Sequence, residues 1–280
     1  MPELPEVETM RRGVLGVVGA RVERIAQLAC PRKPIAFTPE PRQFQDRTAG
    51  RNVTGVDRIG KRVLVRLDTG DAIVFEPRMT GLVLVKDSPD PLYLRVHVGL
   101  KGGAEPDLWF WDRRGLGNVR LLSEAEQGVA FGPDKLGPDG LVVSSGDLRR
   151  RLASSRREVK VALLDQKAVA GIGNIYAAEA LHVAGVHPAA RCDRLSGRQW
   201  EAIVDAIHEV LEEAIRCEGS TLSDGTYRNA LNADGGYQNQ HRVYDKAGDP
   251  CRRCGATILR IVQAQRSTFF CPGCQTRRRK

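Results

Sequence analysis

The residues at the start of the chain could do covalent chemistry. Proline stands second and glutamate third, and removal of the initiator methionine would leave Pro2 as a secondary amine with the Glu3 carboxyl beside it. An N-terminal amine has an unperturbed pKa of about 8, so a useful fraction is neutral near pH 7. A secondary amine condenses with an aldehyde-level carbon to give an iminium, and a carboxyl group can serve as general acid or base. An N-terminus without any chemical role is the alternative that these two residues leave open.

Four of the seven cysteines have the spacing of a zinc site. Two residues separate the members of each pair, and sixteen residues separate the pairs. This spacing is typical of a zinc ribbon, in which a hairpin brings two pairs of thiolates to one ion. Two disulfides or four free thiols are the alternatives, and a reducing cytosol disfavours disulfides. We therefore predict one structural zinc ion, held by Cys251, Cys254, Cys271 and Cys274.

The charge of the chain is concentrated near its C-terminal end. The net charge is +9, and the last thirty residues hold eight basic and no acidic side chains. Such a concentration is typical of contacts with nucleic-acid phosphates. Arg260 and Arg266 lie in the patterned segment between the cysteines, whereas the run 277–280 is equally well explained as a solvated tail.

Composition excludes several classes of protein. Apolar residues make up 41% and charged residues 28%, which favours a packed core over disorder. No apolar run approaches the roughly 20 residues that span a bilayer. Glu3, Glu6 and Glu8 have the wrong sign for a secretory signal. We therefore expect a cytoplasmic protein.

Hydrophobic periodicity places elements around these residues. The spacing predicts a helix over 5–18, followed by short alternating runs over 21–122 that are typical of an antiparallel sandwich or barrel. A Pro/Gly-rich linker at 133–141 precedes a helical part, with its longest helix over 196–217. The polar, Gly-rich stretch 219–241 is long for a structureless loop and favours a functional, mobile segment.

A glycine-rich turn, AGIGN, ends at Asn174 and leads into another helix. It is not a nucleotide phosphate loop, because no Gly-Lys-Ser/Thr follows. The turn either presents backbone N–H groups and Asn174 to a phosphate or simply joins two helices. The spacing alone leaves both open.

Four separate motifs together resemble the formamidopyrimidine-DNA glycosylase family, the bacterial base-excision enzymes for oxidised purines. The resemblance runs from Pro2 to Cys274. Its motifs are PELPEVET at the start, GKRVLVRL around Lys61, LLDQKAVAGIGNIYAAEALHVAGVHP at 163–188, and the terminal CRRC with QRSTFFCPGC.

The resemblance implies an α+β multidomain fold with a bound metal and a nucleic-acid partner. It implies an N-terminal helix plus antiparallel β-sandwich in a catalytic domain over 1–132. A helix-two-turn-helix domain with a lesion-capping loop would occupy 133–245, and a β-hairpin zinc finger 246–280. Damaged double-stranded DNA would lie between two lobes of a monomer.

The same resemblance implies roles for individual residues. Pro2 matches the nucleophile that attacks C1′ of the damaged nucleoside, and Glu3 matches the acid that protonates the sugar ring oxygen. Lys61 matches the lysine poised near the lesion and its phosphate.

Further matches concern the grip on DNA. Asn174 and Arg266 match a phosphate clamp on the kinked strand, Met79 matches a wedge, and Arg113 matches the arginine that pairs with the orphan base. A buried, gap-filling methionine is the alternative for Met79.

Two loops depart from the family pattern. The family usually reads H-x-G-M-[ST]-G, whereas this chain has glutamate and arginine for the histidine and glycine over 76–81. The family's D-x-R-[RK]-F-G appears here as DRRGLG over 112–117, without the wedge phenylalanine. Either Gly115 or Leu116 takes its place, which predicts altered lesion search or altered opposite-base preference.

Three functions are compatible with these matches. The first is a bifunctional glycosylase and AP lyase for oxidised purines that uses a Pro2 Schiff base and β,δ-elimination. The second is the sister branch for oxidised pyrimidines, which typically has glycine where this chain has Leu4. The third is a non-catalytic damaged-DNA-binding homologue, although a binder would have no need of Pro2 and Glu3. A zinc-ribbon RNA-binding protein would leave the N-terminus unexplained.

Overall fold

The computed structural model describes residues 2–276, which it divides into two compact units. The first unit consists of Met1–Gly132 and Cys217–Gln238, and the second of Pro133–Arg216 and Asn239–Lys280. The basic run 277–280 lies outside the described residues. The predicted division into three domains stays a prediction.

Two β-sheets build the first unit. One is four-stranded, in the order β1-β7-β8-β6, and its neighbours are all antiparallel. The other is five-stranded, in the order β2-β9-β5-β4-β3, and its edge pair β2–β9 is parallel. The strands are β1 (Arg21–Gln27), β2 (Ala36–Thr38), β3 (Val53–Ile59), β4 (Arg62–Leu67), β5 (Ala72–Glu76), β6 (Gly81–Leu84), β7 (Leu94–Lys101), β8 (Asp107–Asp112) and β9 (Asn118–Leu122).

Alternation along the strands explains how the sheets pack. In β5, Ile73 and Phe75 enter the main core with residues of both sheets, whereas Ala72 and Val74 belong to a smaller cluster on the opposite face. Helix α3 (Glu124–Phe131) covers that face with Phe131. Because successive side chains point to opposite faces, a central strand covered on both sides is apolar on both faces, as β5 is over 72–75. The predicted sandwich is confirmed.

Two further helices lie in the first unit, and both correct the sequence analysis. Helix α1 (Leu4–Gly13) ends five residues before the predicted end, and a 3-10 turn follows at Leu15–Val17. A Cβ on Gly13 would lie 2.5 Å from Cβ of Ala230, so only glycine allows this close approach. Helix α2 (Pro41–Thr48) falls inside the stretch predicted as strands, because it is short and buries only Phe44 and Thr48.

The second unit is helical and ends in a hairpin. Its long helix buries one apolar face, as the periodicity predicts. No helix within residues 2–276 is long and apolar enough to cross a membrane. The elements are α4 (Ser145–Leu152), α5 (Val159–Leu163), α6 (Asn174–Val183), α7 (Gly197–Arg216), β10 (Leu259–Gln263) and β11 (Arg266–Phe270).

Candidate functional site

Pro2 and Glu3 are buried immediately before helix α1 in the first unit. Glu3 is the N-cap residue, and its backbone N–H donates to Oε2 of Glu6 at 2.8 Å. A carboxylate three residues into a helix satisfies an N–H group that has no partner in the helix itself. The backbone that follows the predicted nucleophile is therefore fixed by a helix cap.

Glu6 also ties the chain start to the glycine-rich segment. Its other oxygen, Oε1, accepts the backbone N–H of Ser220 at 2.8 Å. The Tyr227 hydroxyl donates to the carbonyl of Glu218 at 2.9 Å, and burial raises the pKa of that phenol well above its ordinary value, with the charge of Glu6 adding to the effect. The sequence analysis did not identify Glu6 as a link between these segments, because its two hydrogen-bond donors, Glu3 and Ser220, lie more than 200 residues apart in the chain.

Lys61 lies in a two-residue turn between β3 and β4, and it is half-buried. The first residue of this turn, Gly60, has φ +58°, which glycine adopts without strain. Nearby Arg58 forms an ion pair with Glu8 at 3.2 Å. Burial alone would raise the pKa of Glu8, but hydrogen bonds from Arg11 and Arg12 lower it overall. The turn that carries Lys61 is thus held to helix α1 by Arg58.

Met79 stands in the tight turn after β5, with 38% of its surface exposed. The turn is closed by a hydrogen bond from the N–H of Gly81 to the carbonyl of Pro77 at 2.7 Å. The Thr80 hydroxyl donates to the carboxylate of Asp112, which joins this turn to the loop over 112–117. Met79 is therefore an exposed side chain on a fixed backbone.

The structure separates the roles of Gly115 and Leu116. Gly115 is buried with φ +63°, and a Cβ there would lie 2.2 Å from the carbonyl oxygen of Lys33. Leu116 is 39% exposed, almost the same fraction as Met79. Asp112 fixes the loop by accepting the N–H of Gly117 at 2.7 Å. Gly115 supplies the bend of the loop, and Leu116 supplies its exposed apolar side chain.

Arg113 and Arg114 are both exposed on this loop, but their contacts differ. Arg113 donates from Nη2 to the hydroxyl of Thr226 at 3.0 Å. The Arg114 guanidinium makes no hydrogen bond or ion pair with any residue over 2–276, and only its backbone N–H is engaged. Arg114 is a second candidate for contact with a base, which the sequence analysis passed over although the doubled arginine was visible.

In the second unit, Asn174 is the first residue of α6 and joins three elements. Its Nδ2 donates to the carbonyl of Ser267 at 3.0 Å, next to Arg266. Its Oδ1 accepts from the ammonium of Lys160, a fully buried lysine on α5. Gln166 holds the preceding turn by accepting the N–H of Gly171 at 3.0 Å. The sequence analysis did not single out Lys160, because no motif around it indicates a contact with Asn174.

Arg266 opens strand β11 at the tip of the hairpin. The two turn residues, Ala264 and Gln265, have φ +45° and +60°, as hairpin turns of two residues require. Arg266 is exposed, and its Nη1 lies 3.5 Å from the carbonyl of Ala264. The hairpin thus presents a guanidinium from a short, sharply bent tip.

The four predicted zinc ligands come together in the second unit. Their Sγ atoms all lie within 4.8 Å of one another, and the Cys251–Cys274 and Cys254–Cys271 pairs are 3.8 and 3.4 Å apart. Thiolates at about 2.3 Å from a tetrahedral zinc lie roughly 3.8 Å apart, so the four sulfurs fit one ion. The predicted zinc site is confirmed as a four-cysteine cluster suited to a single structural ion.

A histidine on α6 lies against this cluster. Nε2 of His182 is 3.5 Å from Sγ of Cys251. Burial, together with the charges of Arg242 and Arg253, lowers the pKa of His182 to about 4, so the ring is neutral near pH 7. The neighbouring Glu179 is fully buried and accepts three backbone N–H groups over 242–244; burial raises its pKa. These contacts fasten α6 to the chain that leads into the zinc site.

Three family models match most of the chain. Residues 1–119 match the formamidopyrimidine-DNA glycosylase N-terminal domain. Residues 136–226 match the formamidopyrimidine-DNA glycosylase H2TH domain, and 248–277 match the zinc finger found in FPG and IleRS.

Whole-chain relatives give the same result. A formamidopyrimidine-DNA glycosylase of Chloroflexus aurantiacus is 40% identical over 98% of both chains. A Lactococcus lactis FPG mutant, solved with Fapy-dG-containing DNA, is 32% identical over 99% of this chain and 100% of that one, with a TM-score of 0.86. The wild-type protein of that organism, solved with DNA containing an oxidised pyrimidine, is 32% identical with the same coverage and a TM-score of 0.84.

A buried proline before the first helix of a β-sandwich unit, with a helical unit and a four-cysteine hairpin, defines the class of zinc-finger DNA glycosylases and AP lyases. With matches of this identity over nearly its full length, the chain belongs to the formamidopyrimidine-DNA glycosylase family.

Proposed function

We propose that this protein is a bifunctional DNA glycosylase and AP lyase that excises oxidised purines, such as 8-oxoguanine and formamidopyrimidines, from duplex DNA. Its Pro2 amine forms a Schiff base with the sugar, and the strand breaks by β,δ-elimination. The observation that carries the proposal is the buried Pro2–Glu3 pair at the capped start of α1. The relatives are bacterial, and we place its action in the cytoplasm on chromosomal DNA.

The proposed chemistry uses this chain's own groups at each step. After Met1 is removed, the Pro2 nitrogen attacks C1′, and Glu3 protonates the sugar ring oxygen. The bond from C1′ to the base breaks, and the base leaves with its electron pair and takes up the proton that Pro2 loses. The bond from C1′ to the protonated ring oxygen then breaks, which opens the sugar and leaves an iminium between Pro2 and C1′. Loss of a C2′ proton then expels the 3′ phosphate, and a second elimination expels the 5′ phosphate. Hydrolysis of the remaining adduct returns free Pro2.

The remaining residues explain how the target could be reached. A base inside a duplex must be flipped out, at a cost of a few kcal/mol. Basic clamps and apolar wedges offset that cost by bending the DNA and filling the gap. Asn174 and Arg266, joined through Ser267, are suited to a phosphate clamp. Met79 and Leu116 are exposed apolar side chains suited to the wedge. Lys61 and Arg113 would contact the lesion phosphate and the orphan base.

The preference for oxidised purines is inferred from one residue. Leu4 favours the purine branch, because the sister branch typically has glycine there. Oxidised pyrimidines are the second candidate, since a relative with the same fold was solved with such DNA. Excision rates measured on oxidised purines and on oxidised pyrimidines distinguish the two candidates.

A borohydride trapping assay tests the proposal. Zinc-loaded protein with verified loss of Met1 is incubated with duplexes that contain 8-oxoguanine, a formamidopyrimidine, an oxidised pyrimidine or an abasic site. We expect a covalent adduct on Pro2, located by peptide mass spectrometry, and fastest excision of the oxidised purines. Faster excision of the pyrimidine would move the protein to the sister branch. Absence of an adduct with all four duplexes would leave a DNA-binding homologue.

The loop with Leu116 predicts weakened discrimination of the opposite base. An aromatic wedge contributes stacking and area that leucine lacks, by roughly 1 kcal/mol. We expect excision of 8-oxoguanine opposite adenine to lie within about tenfold of excision opposite cytosine. Leu116→Phe should widen that ratio, whereas Leu92→Phe, an exposed leucine on another loop, should not. A strict preference for cytosine in the unmodified protein would contradict this prediction.

Arg266 is predicted to contact one phosphate. Arg266→Ala should weaken binding to a duplex with an uncleavable abasic analogue and reduce the salt slope of log K by about one. Arg252→Ala, which removes an equal charge from the same module, should change the slope less, because that guanidinium donates to the carbonyl of Asn239. Fluorescence anisotropy at several salt concentrations measures both. Equal slopes for Arg266→Ala and the unmodified protein would rule out the contact.

A further inference from the structure

A charged cluster surrounds Glu76 at the end of strand β5. Its carboxylate is largely buried, accepts from Nε of Arg62 at 3.0 Å, and forms an ion pair with Arg78, whose Nε lies 2.8 Å from Oε1. Arg120 Nη2 lies 3.9 Å and Asn118 Nδ2 3.4 Å from the same carboxylate. One carboxylate therefore faces three guanidinium groups, and the cluster carries two positive charges more than its internal pairing requires.

The three arginines are not equivalent. The guanidinium groups of Arg62 and Arg120 lie over the ring of Phe131, at 5.6 and 5.9 Å from its centroid. They are held between that ring and Glu76, and most of their surface is covered. Arg78, by contrast, is 57% exposed. The excess charge of the cluster is thus presented to solvent through Arg78.

The backbone at Arg78 indicates that this placement is specific. Arg78 has φ +52°, a left-handed conformation that residues with a Cβ rarely adopt. It stands beside Met79 in the turn closed by Pro77 and Gly81. Glu76 and Arg78 are also the two positions at which this turn departs from the family pattern. The two substituted residues therefore form an ion pair with each other.

We propose that Arg78 binds a DNA phosphate beside the Met79 turn, and that Glu76 is the positioning residue that orients it. The inference rests on the proposed function, since it takes DNA as the partner. The terminal nitrogens of Arg78 make no hydrogen bond with any residue over 2–276, which leaves them for a bidentate contact with phosphate oxygens. A lysine would supply the charge without that geometry.

The test uses full-length, zinc-loaded protein and a duplex with a tetrahydrofuran abasic analogue. Arg78→Ala should lower affinity by about tenfold and reduce the salt slope by about 0.9, while Arg78→Lys should keep the slope. Arg47→Ala is the matched control, since it removes an arginine paired with one acid, Asp71, elsewhere in the first unit. Thermal melting of each variant verifies the fold.

Glu76→Gln gives the sharper result, because a pure charge effect and a positioning role predict opposite changes in DNA affinity. Removal of a negative charge alone would strengthen binding to DNA. If Glu76 orients Arg78, its loss should instead weaken binding, and Glu76→Gln with Arg78→Ala should bind no worse than Arg78→Ala alone. Tighter binding by Glu76→Gln, or an unchanged slope for Arg78→Ala, would overturn the proposal. Failure of borohydride trapping in the unmodified protein would sink the proposed function while leaving this salt dependence measurable.

Discussion

Loss of the Pro2 secondary amine should lower base excision and strand cleavage by about 10³-fold or more. In Pro2→Gln the nitrogen is no longer part of a ring, and a large second residue favours retention of Met1. The borohydride adduct should disappear, because no amine then stands where C1′ is attacked. Binding to the tetrahydrofuran duplex should change by less than about fivefold, since a phosphate grip from other residues supplies most of the affinity.

Two companion variants separate chemistry from folding. Pro5→Ala is the matched control, because Pro5 is a buried proline in the first turn of the same helix and has no proposed chemical role. It should lower stability slightly and leave trapping intact. Glu3→Gln should abolish base excision but retain DNA affinity. Undiminished excision by Pro2→Gln would refute the proposed nucleophile.

Removal of zinc should have the second-largest effect, through the stability of the hairpin. Strands β10 and β11 have five residues each, and a two-stranded hairpin of this size is marginal in water. The apolar cluster beneath it is small and includes Cys251 and Cys271 themselves. Apparent zinc-binding free energies in such modules are about 10–16 kcal/mol, so we expect the ion to supply most of the folding energy of this hairpin.

We expect Cys254→Ser to lose zinc, as measured by metal analysis, and to lose amide protection over 259–270 in hydrogen exchange. DNA affinity should fall by at least about tenfold, because Arg266 is no longer held at the tip of a hairpin. Cys30→Ser lies outside the cluster and should retain both zinc and affinity. Persistent protection of the hairpin amides in metal-free protein would show that the ion is dispensable for folding.

The departures in the two loops form one pattern. In our proposal, Leu116 takes the place of an aromatic wedge as a smaller exposed side chain, and Arg78 adds a guanidinium on the neighbouring turn. Asp112 and Thr80 join the two turns by a hydrogen bond. An added phosphate contact is a physically reasonable compensation for a weaker wedge, since either one favours the bent form of the DNA. The Arg78 variants test the added phosphate contact, and the Leu116 variant tests the weaker wedge.

The sequence alone determined the zinc cluster, the sandwich and the long helix. These depend on local patterns along the chain: two residues within each cysteine pair, short apolar runs such as β5, and the helical period of α7. Short elements escaped prediction. Helix α2 buries two side chains, and β2 has three residues, too few to establish a period.

Only the tertiary structure decided which distant groups meet. Glu6 receives N–H groups from Glu3 and Ser220, and Lys160 lies beside Asn174. It also assigned the bend of one loop to Gly115, because the Lys33 carbonyl leaves no room for a Cβ. Local patterns encode the direction in which a side chain points and the conformations it tolerates. They do not encode which partner, far along the chain, the packing of two sheets will bring against it.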